Sequence, residues 1–194
     1  SSTSKWNVLG QQVMIAPLEV FGAALNDDQW DGYDYERNRL YDSIINNTVN
    51  NIVVLTGDIH TSWVNDIPLS NYDASNCTGS IGVEYVVTSV TSPGLGFLGG
   101  IAGSTIELFN SHIQYTNLSD HGYLILDVSK SKVTGNYYYV NDIDAILTGE
   151  YFDEAYFVLG GEKCAQQAAG PTQSSKTPPV FAPDQPINGT ATID

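Results

Sequence analysis

The chain has 194 residues, enough for one domain with a substantial core. It carries 7 Lys+Arg against 22 Asp+Glu, a formal net charge of -15. That balance excludes a nucleic-acid scaffold and docking on anionic lipid, both of which need a basic footprint. There is no transmembrane segment, since no apolar run is long enough. Few lysines beside many Asn, Ser, Thr, Gly and Tyr point to a secreted, periplasmic or cell-surface protein. Cys77 and Cys164 fit no zinc pattern; they form either one disulfide in an oxidising compartment or two free buried thiols, and the disulfide is the expectation taken forward. The chain starts without Met and without a signal peptide, so it reads as a processed or excised piece. Sequons at Asn46, Asn76, Asn117 and Asn188 are what chance gives in a chain this rich in Asn, Ser and Thr.

Residues 1–5 are polar and expected to lie outside the core. Val8 to Ala16 reads as a strand interrupted by Gln11 and Gln12. Residues 22–34 form an acidic, aromatic loop. In it Trp30 either folds onto the core or lines the rim of a pocket. Asp34 is placed to cap a helix that runs to about Asn46, with Leu40, Tyr41, Ile44 and Ile45 at helical spacing. This helix leads directly into the apolar run Ile52 to Leu55, which reads as a strand covered on both faces. Thr61 to Ser80 reads as a long irregular stretch, expected to be a pocket wall or lid. Val83 to Thr88 is a strand, and Thr91 to Gly96 a connector. Ile101 to Phe109 is a short helix. Leu124 to Val128 and Val133 to Val140 make an antiparallel hairpin, and Ala155 to Leu159 the last strand. From residue 165 the chain is an extended Pro-, Ser- and Gln-rich tail.

The chemistry concentrates just past the Ile52 strand, in Thr56-Gly57-Asp58-Ile59-His60. On an extended segment Asp58 and His60, two residues apart, point to one side. A carboxylate and an imidazole aimed at one point suit a divalent or trivalent metal. They also lie past the carboxyl end of a strand, where open α/β sheets bind ligands. Two plainer readings stand beside this one: Asp58 caps a turn, and His60 is an ordinary half-buried histidine.

Five motifs occur in order. They are Trp6 with Leu9-Gly10-Gln11-Gln12-Val13-Met14; Asp28-x-Trp30-Asp31-Gly32-Tyr33 with Arg37, Arg39 and Leu40; Val53 to His60; Thr88-Ser89-Val90-Thr91-Ser92-Pro93; and His121-Gly122-Tyr123. Together, from about residue 6 to about 142, they resemble the alkaline phosphatase D (PhoD-like) metallophosphatases. The resemblance implies an α/β (α+β) fold, the C-terminal half of a calcineurin-like two-sheet sandwich with helices outside. Residues 1–164 would form this part and 165–194 the tail. It implies hydrolysis of phosphate monoesters or diesters at a metal centre in which iron and calcium fit. Asp58 and His60 would be metal ligands, His121 a catalytic group donating to the phosphate, and Trp30 and Trp63 pocket walls. His112 is a weaker candidate, and His121 against Tyr123, like both tryptophans, also has a structural reading. In such enzymes metal ions activate water and neutralise the phosphate oxygens. A bound cation is also what so acidic a chain needs to hold a phosphate ester.

Most metal ligands of that family lie in an N-terminal half absent from these residues. Catalytic sites normally take three or more protein ligands. The expected partners are therefore a phosphate ester substrate and the N-terminal half of the same enzyme, with this chain inactive alone. Two readings of other classes compete: an inactive proteolytic fragment, and a secreted ligand-binding module using the aromatic loops.

Overall fold

The computed structural model describes residues 4–94, 103–145 and 149–173. In chain order the strands are β1 (Asn7–Gly10), β2 (Glu19–Val20), β3 (Ala23–Ala24), β4 (Ile52–Thr56), β5 (Ser62–Asp73), β6 (Thr78–Val86), β7 (Ile113–Asn117), β8 (Gly122–Val128), β9 (Lys132–Val140), β10 (Glu150–Leu159) and β11 (Gln166–Gln167). The helices are α1 (Asp34–Asn46) and α2 (Gly103–Phe109), and a 3-10 turn spans Trp30–Tyr33. One sheet has the order β1-β4-β6-β5-β7 and a second the order β11-β10-β9-β8.

In the first sheet β1, β4 and β6 run parallel, and β5 is antiparallel to both β6 and β7. The second sheet is antiparallel throughout. The two pack face to face. Val53, Val64, Val83, Tyr85 and Tyr115 of the first meet Val133, Tyr137, Tyr139, Tyr156 and Val158 of the second. Tyr137 crosses the interface and donates to the Trp63 carbonyl at 2.7 Å, so its buried hydroxyl keeps a partner. The other face of the first sheet is covered too. Ile52, Val54, Ile67 and Ile81 pack with Ile15 and Tyr41, the latter from α1. Burial on both faces explains why β4 reads as an unbroken apolar run. The fold is thus the expected mixed α/β, α+β type: two sheets with a few flanking helices.

The sequence is misleading in several places. β1 stops at Gly10; Met14, Ile15 and Ala16 are buried in an irregular segment and not in a strand. The stretch after Thr61, expected to be irregular, is the twelve-residue strand β5, which lies between β6 and β7. Its pattern is hidden by buried polar residues, Asn65 and Asp66, and by Pro68, which sits at a register shift where no ladder donor is needed. β7 also escapes the sequence reading, although Ile113-Gln114-Tyr115-Thr116 alternates as a half-buried strand does. Asp34 is the first residue of α1 and not its cap; its carboxylate pairs with Arg37. Ala165, expected to open a tail outside the core, is buried against the second sheet, and β11 follows it there. The connector expected at Thr91 to Gly96 and the helix start at Ile101 fall partly outside the described residues, as does most of the tail.

Cys77 and Cys164 are disulfide-bonded, as expected. The bond ties the β5–β6 turn to the segment after β10 and closes a loop across a sequence separation of 87. In the chain-entropy model such a loop contributes about 4–5 kcal/mol. No helix among the described residues is long and apolar enough to cross a membrane.

Candidate active site

The register of the first sheet brings one set of loops to a common end. Parallel β1, β4 and β6 finish there, β5 begins there, and β7 finishes beside it. Gln11 N–H donates to the Leu55 carbonyl and Val87 N–H to the Thr56 carbonyl. The loops 57–61, 87–94 and 118–121 therefore emerge side by side, although they are far apart in sequence.

Extended backbone ends at Thr56. Asp58 and His60 both have left-handed backbone, with φ of 71° and 57°. Extended backbone therefore does not aim the two side chains to one side. Something else places them. Ile59, 2 % exposed, is the anchor of this loop; it packs with Met14, Leu18, Trp63, Val86 and Ile106. Asp58 on one side of it is exposed, and His60 on the other is half-buried. Left-handed φ is unusual for residues other than glycine, and Asp and His tolerate it better than most. Such backbone clusters at functional sites.

His60 Nδ1 lies 2.7 Å from the Pro93 carbonyl oxygen. A carbonyl only accepts, so Nδ1 carries the proton and Nε2 keeps its lone pair. Metal-binding histidines are commonly held in this way, the far ring nitrogen donating to a carbonyl. His121 Nε2 lies 2.9 Å from the Ser92 carbonyl oxygen. Its free nitrogen is then Nδ1. Neutral His121 therefore presents an acceptor and can donate to a phosphate only as the imidazolium. The two histidines are tied to consecutive carbonyls of one loop. A cleft of about 400 Å³ lies where these loops leave the sheets, lined by Thr56, Thr88, Val90, Gly122 and Tyr123; neither histidine lines it.

The remaining sequence candidates go elsewhere. Trp63 is 0 % exposed, and its Nε1 donates to the Thr61 hydroxyl at 2.6 Å. It is a core residue and not a pocket wall. Trp30 is half-buried against the Ile15–Tyr41 cluster and donates to Gln11 Oε1 at 3.3 Å. It also lines a small cleft of about 210 Å³ with Val13, Asp28 and Tyr33, separate from the histidines. His112 is buried, with Nε2 held by the Pro17 carbonyl at 2.9 Å. Burial pushes it down to about 4, which suits a neutral structural histidine.

One supporting residue was missed. Glu84 in β6 is 0 % exposed and accepts from Ile15 N–H at 2.7 Å, Ala16 N–H at 3.1 Å, Asn65 Nδ2 at 3.0 Å and Thr56 Oγ1 at 3.4 Å. Burial pushes its carboxyl up, against the pull of those four donors. It ties the segment after β1 to the end of β4, just below the Asp58 loop. The available signal was an acidic residue inside the apolar run Val83-Glu84-Tyr85-Val86.

The donors present fit a metal in kind: a carboxylate, and an imidazole whose second nitrogen is already engaged. They fall short in number, since Asp58 and His60 are two where catalytic sites normally take three or more. Neither the cleft around Thr88 and Tyr123 nor the neighbouring one around Val90 and Val140 is lined by Lys or Arg among the described residues. Arg37 is committed to Asp31 and Asp34, and Arg39 to Glu36. A phosphate bound there would have to be neutralised by a cation from outside the side-chain set. A second clustering, Asp66 with Cys77 and Cys164, has donor atoms within 4.8 Å of one another. Its sulfurs are bonded to each other, which leaves one carboxylate and no metal site.

A family model described as PhoD-like phosphatase matches residues 1–137. Alkaline phosphatase D of Bacillus subtilis (strain 168) is 39% identical over 122 residues, covering 60% of this chain and 20% of that protein. A solved structure described as "Structure of PhoD" superposes with a TM-score of 0.75 at 26% identity, covering 90% of this chain and 34% of that one. The chain thus spans about a fifth of the curated relative and about a third of the solved one.

Proposed function

This chain belongs to the PhoD-like phosphatase family, and from that premise we propose that it forms part of a metal-dependent phosphoric ester hydrolase of alkaline phosphatase or phosphodiesterase type. Asp58 and His60 are its late metal ligands, and the remaining ligands come from an N-terminal half of the same enzyme. The metals, for which iron and calcium are the candidates, supply water activation and neutralisation of phosphate charge. His60 binds through Nε2, because the Pro93 carbonyl holds Nδ1. His121 accepts a proton or a ligand at Nδ1 while Ser92 holds Nε2. The cleft lined by Thr88, Val90 and Tyr123 receives the organic group of the ester. The disulfide supports a location outside the reducing cytosol, secreted, periplasmic or at the cell surface.

The observation that carries this reading is the bond from His60 Nδ1 to a backbone carbonyl, the arrangement that frees Nε2 for a metal. The test is His60→Ala in the full-length enzyme, with metal content and phosphomonoester hydrolysis measured on the same preparation. Both should fall together. Retention of metal and rate by a folded His60→Ala protein would show that His60 is structural.

A further inference from the structure

The Thr88-Ser89-Val90-Thr91-Ser92-Pro93 segment lends Thr88 and Val90 to the cleft, and its remaining residues touch both histidines. Ser92 and Pro93 turn consecutive carbonyls toward His121 Nε2 at 2.9 Å and His60 Nδ1 at 2.7 Å. The Ser92 carbonyl has a second donor, the Ser89 hydroxyl at 2.7 Å. Two donors on one carbonyl oxygen use both of its lone pairs. The Ser89 backbone acts on the same place from the other side, since its carbonyl accepts Gly122 N–H at 3.1 Å. Val140 N–H in turn donates to the His121 carbonyl at 2.8 Å. At Gly122 an added Cβ would lie 2.0 Å from the Tyr138 carbonyl oxygen, so only glycine lets the chain pass there. The His121 backbone is thus fixed by its neighbours, and what remains to be fixed is its ring.

We infer that Ser89 is a positioning residue, and that the turn it closes holds His60 and His121 in opposite tautomers so that His60 presents Nε2 and His121 presents Nδ1. The inference rests on the proposed site for its functional meaning but on hydrogen-bond geometry for its content. A free imidazole exchanges between its two neutral tautomers and rotates about its χ angles. A bond to a carbonyl at each ring removes both freedoms, and partners of this kind typically change metal affinity by roughly 10- to 100-fold. Ser89 matters because it fixes the carbonyl that orients His121. The Pro93 carbonyl, which orients His60, has no side-chain donor of this kind besides His60 itself among the described contacts.

The test is nitrogen-15 NMR of the metal-free chain, labelled at histidine only, above the ordinary histidine pKa of about 6.5. The chain has 3 histidines, so each ring can be followed. The wild type should show His60 protonated at Nδ1 and His121 at Nε2, each as a single tautomer. Ser89→Ala should turn His121 into a tautomer mixture and leave His60 as it was, and Ser89→Thr should restore the single form. His121 protonated at Nδ1 in the wild type, or a single unchanged tautomer in a folded Ser89→Ala protein, would overturn the inference. Metal content of His60→Ala in the full-length enzyme reads the metal proposal separately. If it is unchanged while the two tautomers stay as stated, the positioning role stands and the metal role fails.

Discussion

Replacing Asp66 with Asn should stabilise the protein at neutral pH and change little in acid. Asp66 is 1 % exposed and accepts from Ala165 N–H at 2.7 Å, Tyr72 Oη at 2.8 Å and Gln114 Nε2 at 3.2 Å. None of these partners is a cation. Burial therefore dominates and pushes the carboxyl up to about 6 from 3.8. The folded protein holds this proton more tightly than the unfolded chain does. The group's favourable contribution is complete below the unfolded value and is lost as pH rises through the folded one. A rise of about 2 units at 1.36 kcal/mol per unit corresponds to about 3 kcal/mol. Asparagine keeps the shape and can still accept from Ala165 N–H, while Tyr72 can turn its hydroxyl to accept from the new amide. Urea unfolding with the disulfide intact, run from about pH 4 to about pH 8, gives the difference between Asp66→Asn and wild type. The comparison cancels titrations common to both proteins. The difference should grow by about 3 kcal/mol toward neutral pH, most of it between about pH 4 and 6. A difference that is flat or shrinks with rising pH would refute the assignment of an uncompensated buried carboxylate.

His112 should show the opposite sign: its folded pKa of about 4 lies below the ordinary 6.5, so its contribution is present above 6.5 and is lost as pH falls toward 4. His112→Gln should flatten the acid limb of the stability profile by up to about 3 kcal/mol, measured by the same unfolding series. Ile59→Ala should cost about 2–5 kcal/mol in denaturant unfolding, because the side chain anchoring the Asp58–His60 loop is buried in a packed cluster. Asp58→Gly should leave stability within about 1 kcal/mol of wild type, relief of left-handed strain offsetting the entropy of glycine. In the full-length enzyme the same substitution should lower metal content, measured by elemental analysis.

Elements whose side chains obey one pattern were legible in the sequence. β4 and the β8–β9 hairpin fall where periodicity puts them, and α1 begins within a residue of its expected start. β5 was not legible, because a strand between two others can bury Asn65 and Asp66 once side chains from distant segments satisfy them. Asn65 is met by Glu84, and Asp66 meets Ala165, Tyr72 and Gln114. None of those pairings has a local signature. β11 and the burial of Ala165 follow from a disulfide whose partner lies 87 residues away.

At the proposed site the sequence's reason for choosing the Asp58–His60 loop does not hold. Asp58 and His60 were singled out from an alternation that holds only on extended backbone, and both residues are left-handed. What sets them out from the core is Ile59 between them, an apolar residue that the motif reading passed over. What sets the ring directions is a pair of backbone carbonyls, which every residue carries and no residue type announces. A sequence can therefore show which side chains have metal chemistry, because that is a property of the residue. Which nitrogen each imidazole presents is a property of the Ser89–Pro93 turn, whose effect on His60 appears only when loops after β4 and β6 are brought side by side. The same division explains the tryptophans. An indole fits a pocket wall and a core equally well, and the contacts that send Trp63 entirely inside come from β6, α2 and the segment after β1.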